Sequence, residues 1–388
     1  MTNTYPGYRI VTAQIGRQAH PDVLANRIAQ QGVAEVLSRD PAARADLNVI
    51  LGNKVYFGGQ IRSENPPEED RLREIIIKTV KGVGYSEEWG YDISKVPIII
   101  DVNSQSPNIN NAVNNGGAGD TIRKCGFATS ENEKFLPFPH LVARDIAYKL
   151  DRFPGYSVRE MKKMESFLGP DGKVNVAVAY EGGEPKYVSD LIVGAQHSKD
   201  INKKDLDELI SIITNDIVRY LTVRNLYDSL KTKILVNGAG LFGYGGPIID
   251  RGVKGKKDAD HTYGDIVGHT GGSAYGKDGS KVDLHALLLA RQIALSIVKS
   301  RLAKAVKVQL GYAIGQEEPY VLDFDTMGTS LIQSDELERT VKANFKLKPK
   351  EVIENLDLSN PEHYVPMAKY FFGNASFPWE KAVELRGT

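Results

Sequence analysis

Apolar positions along the chain change period several times, and each change marks an element. Leu24, Ile28, Val33, Val36 and Leu37 recur at helical spacing and predict a helix that ends at Asp40-Pro41. Two β-rich runs, Ala45–Leu51 and Lys54–Ile61, meet at Gly52-Asn53 and read as a hairpin. A second helix over Glu68–Val80 and a buried strand over Lys95–Val102 follow. Ser104–Asp120 has no apolar period and is rich in Asn, Gly and Ser, so it reads as a long functional loop. The pattern then recurs. Pro139–Leu150 is a helix, and Lys173–Tyr180 with Lys186–His197 form a hairpin around the turn Glu181–Pro185, its alternation strict at Val174, Val176 and Val178. Lys203–Leu221 is a helix and Thr232–Asn237 a strand. The last third opens on a glycine-rich stretch, followed by a helix over Val282–Leu302, strands over Ala305–Ile314 and Pro319–Thr326, and two short helices. Helix, hairpin, helix and strand thus recur about three times, with few βαβ units, which favours an α+β class. The expected units are 1–115, 116–243 and 244–388.

Composition narrows the field. At 388 residues, with 41% hydrophobic and 25% charged positions, the chain has an ordinary globular balance. Its formal net charge is zero, so no nucleic-acid partner is expected. Cys125 is the single cysteine, which excludes an internal disulfide and a thiolate metal cluster. No stretch has the apolar length of a membrane helix or the form of a signal peptide, and the expectation is a cytoplasmic protein without a membrane partner.

The chemistry concentrates in a few motifs. His269–Asp283, HTGGSAYGKDGSKVD, contains Gly271, four residues, then Gly276-Lys277. That is the opening of a phosphate-binding P-loop, but Asp278 stands where Ser or Thr would hold Mg²⁺, and the preceding residues are not an apolar strand. The stretch reads either as a glycine-rich turn or as a lysine clamp for polyphosphate. Asp250, Lys254, Lys256, Lys257, Lys277, Lys281 and Asp283 crowd this region, and lysines with Mg²⁺-holding carboxylates suit a chain of phosphates. His20-Pro21-Asp22 lies at the mouth of the first helix, where His20 could equally be a cap or a core residue. Gly116–Asp120 reads as a turn, and Pro170-Asp171-Gly172-Lys173 more strongly so.

In order, HPD, QSPNI, GAGD, PDGK, QHS, GGP-x-x-D, HTGGSAYGKDGSKVD, YAIGQ-x-x-P and PWE resemble the S-adenosylmethionine synthetases of the bacterial and eukaryotic type. The resemblance runs from about Arg9 to Glu380. It implies three α+β repeats of βαββ type about a pseudo-threefold axis, in a homodimer or dimer of dimers whose active sites lie between subunits. It implies transfer of the adenosyl group of ATP to methionine sulfur, followed by hydrolysis of the displaced tripolyphosphate. Sulfur needs no base, but the leaving group needs cations. The resemblance places His20 on the leaving oxygen, Asp22 and Asp283 on Mg²⁺, and Lys257, Lys277 and Lys281 on phosphates. Lys256 occupies an arginine position of the same region. Asp171 and Lys173 would meet the nucleoside and phosphates, Asp120 and Asp250 the methionine and nucleoside, and Phe242 the adenine. Gln105 would lie near methionine at the start of a gating loop.

The sequence departs from the family pattern in one direction. Amides stand at Gln14, Gln18, Asn48, Gln60 and Asn108 where the family carries carboxylates, and Val23 replaces a lysine. Asn48 falls on the potassium ligand, so little dependence on K⁺ is expected. Gln60 falls on the partner of the methionine ammonium, so weak methionine binding is expected, restored by Gln60→Glu. The alternatives to a divergent synthetase are an ATP or tripolyphosphate hydrolase and a non-catalytic nucleotide-binding homologue that pairs with a catalytic subunit.

Overall fold

A computed structural model describes residues 8–104 and 116–385. In chain order the strands are β1 (Arg9–Gly16), β2 (Arg44–Leu51), β3 (Val55–Arg62), β4 (Ile98–Ser104), β5 (Ile122–Thr129), β6 (Leu168–Glu181), β7 (Glu184–His197), β8 (Lys233–Val236), β9 (Gly252–Val253), β10 (Ala305–Tyr312) and β11 (Val321–Asp325). The main helices are α1 (Pro21–Arg39), α2 (Glu69–Gly82), α3 (Phe138–Arg152), α4 (Val158–Phe167), α5 (Lys203–Val223), α6 (Asp258–Thr262), α7 (Val282–Lys299), α8 (Ser334–Asn344) and α9 (Pro349–Asn355).

Each hairpin forms a sheet with a strand from another third of the chain. β1 pairs with β6, β5 pairs with β10, and β9 closes the ring by pairing with β2. The sheets run β1-β6-β7-β8, β11-β10-β5 and β4-β3-β2-β9. This cyclic exchange gives three repeats of one strand, one or more helices and a hairpin, the α+β class that the periodicity predicts.

Two apolar cores result. The central hairpin packs with α3 and α5 through Val174, Val176, Val178, Leu191, Ile146 and Ile213. The other core joins the outer thirds through α1, β2, β3, β5, β10 and α7. Helix α7 is apolar almost all round and is buried from Val282 to Val298 save Gln292, as a helix without a solvent face must be.

Two sequence readings need correction. Pro170–Lys173 is no turn. It lies inside β6, where pairing with β7 slips between Leu168 and Gly172. Gly172 has φ 154°, and a Cβ there would lie 2.4 Å from the Gly194 carbonyl oxygen. Nor is the strand at Ile98–Ser104 buried, since it is the edge of its sheet, parallel to β3, and Ile99 is 45% exposed. Its apolar run reflects one face on the core and one left open. The hairpin turn inside Glu181–Pro185 contracts to Gly182-Gly183, both with positive φ.

Candidate active site

The predicted residues gather into two groups, each knit together by side chains from different elements. The first surrounds the start of α1. His20 is the N-cap of that helix, and its Nδ1 accepts a hydrogen bond from the Asp22 amide at 3.3 Å. Burial holds the imidazole below its ordinary pKa, the charges of Lys257 and Lys173 add to this, and Asp171 and Asp250 oppose it. The ring is therefore neutral at neutral pH. Asp22 accepts from the Val253 amide through Oδ1 at 2.9 Å, and its Oδ2 faces the Lys256 ammonium at 3.7 Å. Asp171 fastens the adjacent loop, with Oδ2 accepting from the Gly246 amide at 2.8 Å. Phe242 stands beside it. Its amide donates to His197 Nε2 at 2.9 Å and its carbonyl accepts from the His197 amide at 3.0 Å. The QHS motif thus orients an aromatic ring. Gly245 is small for a reason: a Cβ there would come within 2.9 Å of Asp171 and 3.1 Å of Phe242. Lys173 and Asp250 are exposed at the margin of this group.

The second group lies at the N-terminus of α7. Asp283, in the first turn, accepts from the Gly272 amide at 2.8 Å and from Lys124 at 3.1 Å, and pairs with Lys277. Burial raises its pKa, but the two ammonium groups outweigh burial and hold it below the usual range. For Lys277, burial is outweighed by Asp46 and Asp283, which together raise it. Asp120 is exposed and adds to the same effect. Lys281 is the N-cap residue of α7, with its charge acting on Asp278. Gln60 is exposed on β3, paired in register with Asp46 on one side and Asn103 on the other. Gln105 lies outside the described residues.

Asp278 settles the question of the P-loop. Its carboxylate is buried and accepts from the amides of Ala45 and Ser280, each at 2.7 Å. It pins the glycine-rich loop to β2. Gly276, with φ 72°, fits where a Cβ would meet the Leu47 carbonyl oxygen at 2.3 Å, and its amide donates to Gln30 at 2.8 Å. The loop is a rigid mount for Lys277, held from below by α1 and β2.

Several polar residues at this site went unread in the sequence. Lys124 from β5 completes the Asp283 network. Arg17 donates to the carbonyls of Gly169 at 2.7 Å and Asp171 at 3.1 Å, and to Asp151 at 2.9 Å, locking the β6 irregularity. Carboxylates also stand against two of the amides: Asp260 accepts from Gln14 Nε2 at 3.1 Å, and Asp46 opposes Gln60. Asp46 is placed by cross-strand register and Asp260 by the packing of α6 on β1, neither of which a single sequence displays.

A buried histidine whose Nε2 has no partner among the described residues, a lysine loop at a helix N-terminus and aspartates facing ammonium groups make an arrangement that can receive a nucleoside polyphosphate. Comparison with known proteins makes this specific. The S-adenosylmethionine synthetase N-terminal, central and C-terminal domain profiles match residues 9–107, 115–242 and 244–381. An S-adenosylmethionine synthase from Aquifex aeolicus is 35% identical over 383 residues, covering 97% of this chain and 98% of the relative. One from Thermus thermophilus is 33% identical over 393 residues, 96% of each chain. One from Helicobacter pylori is 34% identical over 381 residues, 96% of this chain and 95% of the relative. The chain belongs to the S-adenosylmethionine synthetase family. Its activity is that of a methionine adenosyltransferase, the synthesis of S-adenosylmethionine from ATP and methionine. Among the described residues, no helix is long and apolar enough to cross a membrane.

Proposed function

We propose that the two groups are the two halves of the adenosyl-transfer site, one gripping the nucleoside and the leaving oxygen, the other the polyphosphate and the acceptor. The observation that carries this reading is the hydrogen bond at His20 Nδ1. Its Nδ1 accepts from the Asp22 amide, so the proton of the neutral ring sits on Nε2. Among the described residues nothing takes that N–H, and it would donate to the C5′ oxygen as methionine sulfur attacks. A preorganised donor at a developing anion contributes about 3 kcal/mol. Phe242 would stack on the base, with Asp171, Lys173 and Asp250 around the nucleoside. Lys256, Lys257, Lys277 and Lys281 would hold the phosphates, and the same cations would serve hydrolysis of tripolyphosphate to phosphate and diphosphate.

Asp22 and Asp283 would supply the protein oxygens of bound Mg²⁺. Mg²⁺ in such sites takes one or two carboxylates and completes its shell with phosphates and water, and two aspartates set among lysine side chains fit that demand. When bound, the metal neutralises charge on the leaving group. Asn48, exposed on β2, offers an amide oxygen only, a poor substitute for a carboxylate at a K⁺ site.

The two halves would be completed between two copies of the chain. Val253, Ile50, Tyr56 and Ile99 form one lateral row across the open face of β4-β3-β2-β9, and Lys277, Asp46, Gln60 and Asn103 form another. An apolar row with three exposed aliphatic residues, parted by the Asn48-Gly58-Asp101 row from a polar row that ends on the lysine loop, suits a dimer face with the site at its edge. Incubation with ATP, methionine and Mg²⁺ followed by product analysis tests the reading. It requires S-adenosylmethionine with equal phosphate and diphosphate. Phosphate without a sulfonium would mean a hydrolase, and neither product a non-catalytic homologue.

A further inference from the structure

Asp46 is a carboxylate without a role in the reading above, although that reading surrounds it. It is paired in register with Gln60 on β3 and forms an isolated bridge with Lys277, so the three residues are lateral neighbours. Directly opposed residues bring their side chains within about 5 Å of each other. The alternation of β2 sends Ala45, Leu47 and Val49 into the core and Asp46 and Asn48 to the open face. The Asp46 carboxylate lies 3.8 Å from the Lys277 ammonium and is 30% exposed. Lys277 meanwhile has its closer partner in Asp283. Asp46 is thus held loosely by a cation that the proposed chemistry assigns to polyphosphate.

We propose that Asp46 supplies the carboxylate for the α-ammonium of the amino-acid acceptor, with Gln60 beside it as a neutral hydrogen-bonding partner, and that it becomes available when Lys277 turns to polyphosphate. The inference rests on the adenosyl-transfer reading. It locates the charge that the amide at Gln60 lacks one strand away, on the same face of the same sheet. It also couples the substrates. With Lys277 engaged by phosphate, Asp46 needs a new cation, and the ammonium provides it, so ATP and methionine each strengthen binding of the other. Gln60→Glu alone then brings no gain, because it sets two carboxylates directly opposite each other.

Initial rates at saturating ATP and Mg²⁺ test this in the wild type, Asp46→Asn and the double variant Asp46→Asn/Gln60→Glu. Loss of one charge-assisted contact raises the methionine KM of Asp46→Asn about tenfold or more, with a smaller change in kcat. The double variant recovers most of the loss, since a carboxylate returns to the pair. With 4-(methylthio)butanoate, the acceptor without an ammonium, Asp46→Asn performs no worse than the wild type. An unchanged methionine KM in Asp46→Asn overturns the proposal, as does an equal loss with both acceptors. If the wild type forms no sulfonium, the adenosyl-transfer reading fails instead. Calorimetric binding of methionine with a non-hydrolysable ATP analogue then decides on Asp46: weaker binding by Asp46→Asn supports it, equal binding overturns it.

Discussion

Helix α7 carries two ionic networks of opposite character. Asp283 in its first turn meets Lys124 and Lys277, and Arg291, eight residues on, meets Glu380. At a rise of about 1.5 Å per residue the two are about 12 Å apart along one helix. Around Arg291 every N–H is used. Nε and Nη2 reach the two oxygens of Glu380 at 2.8 and 2.9 Å, and the remaining three donors reach the carbonyls of Phe127, Lys134 and Phe135. Nothing is left for a ligand, and the guanidinium is wholly buried. Around Asp283 the cations are lysines on flexible stems. Lys277 is shared between carboxylates on two elements and keeps 13% of its side chain exposed. A fork that is saturated and sealed holds structure, whereas a shared and partly open ammonium can change partners. The PWE motif therefore belongs to the fold, and the lysine loop is the end that we propose serves the chemistry.

The strongest way to break this contrast is at the sealed end. Glu380→Ala leaves a buried guanidinium without its carboxylate and should destabilise the chain by about 3–5 kcal/mol, read as a loss in denaturant midpoint. A shift under about 1 kcal/mol would mean that the pair is not sealed in solution. His20 separates the two roles within one side chain. His20→Asn keeps an N-cap acceptor, whereas His20→Ala loses it, so only the alanine variant should melt lower, by about 1 kcal/mol. Both should lose ATP consumption, by about a hundredfold or more. Retained turnover in the asparagine variant would reduce His20 to a cap.

Asp258 lies between the two extremes. It is buried like Glu380, but among the described residues its carboxylate accepts only from Ser273 Oγ at 3.2 Å and the Ala274 amide at 3.1 Å, and burial pushes its carboxyl up to about 6. The folded state therefore binds this proton more tightly than the unfolded chain, whose aspartates titrate near 4. Stability falls as pH rises from about 4 to about 6, and above that window the ionised group costs about 3 kcal/mol. Asp258→Asn should raise the melting temperature at pH 7.5 and make no difference near pH 4. An equal effect at both values would show that the carboxyl is not perturbed. The smallest effect expected is that of K⁺. With Asn48 at the potassium position, K⁺ and Na⁺ at equal ionic strength should support similar rates, and a steep, saturable response to K⁺ alone would contradict this.

Much of the fold is legible in the sequence because its helices and hairpins are locally periodic. Helix α1 is found almost to the residue, and the alternation of Val174, Val176 and Val178 points wholly into the core. Strands β1 and β5 are not legible. They pair with hairpins in other thirds of the chain, and β5 carries Arg123 and Lys124 within its span. The same distinction holds in the site. His20, Asp22, Asp171, Lys277 and Asp283 sit in motifs that a linear reading isolates. Asp46, Lys124 and Arg17 act through register and sheet exchange, so their place near the chemistry emerges only when strands far apart in the chain lie side by side. Pro170–Lys173 shows the converse, since residues that favour a turn here build a strand irregularity that Arg17 and Gln196 hold in place.

The most direct measurement is ATP consumption by Lys277→Ala, made on protein whose thermal melt is recorded in parallel. The open network predicts a melting temperature close to that of the wild type, because Lys277 is partly exposed and Asp283 keeps Lys124. It predicts turnover lower by about a hundredfold or more, because a preorganised cation at the leaving group is gone. Wild-type turnover in a folded Lys277→Ala protein would contradict the assignment of this network to the reaction.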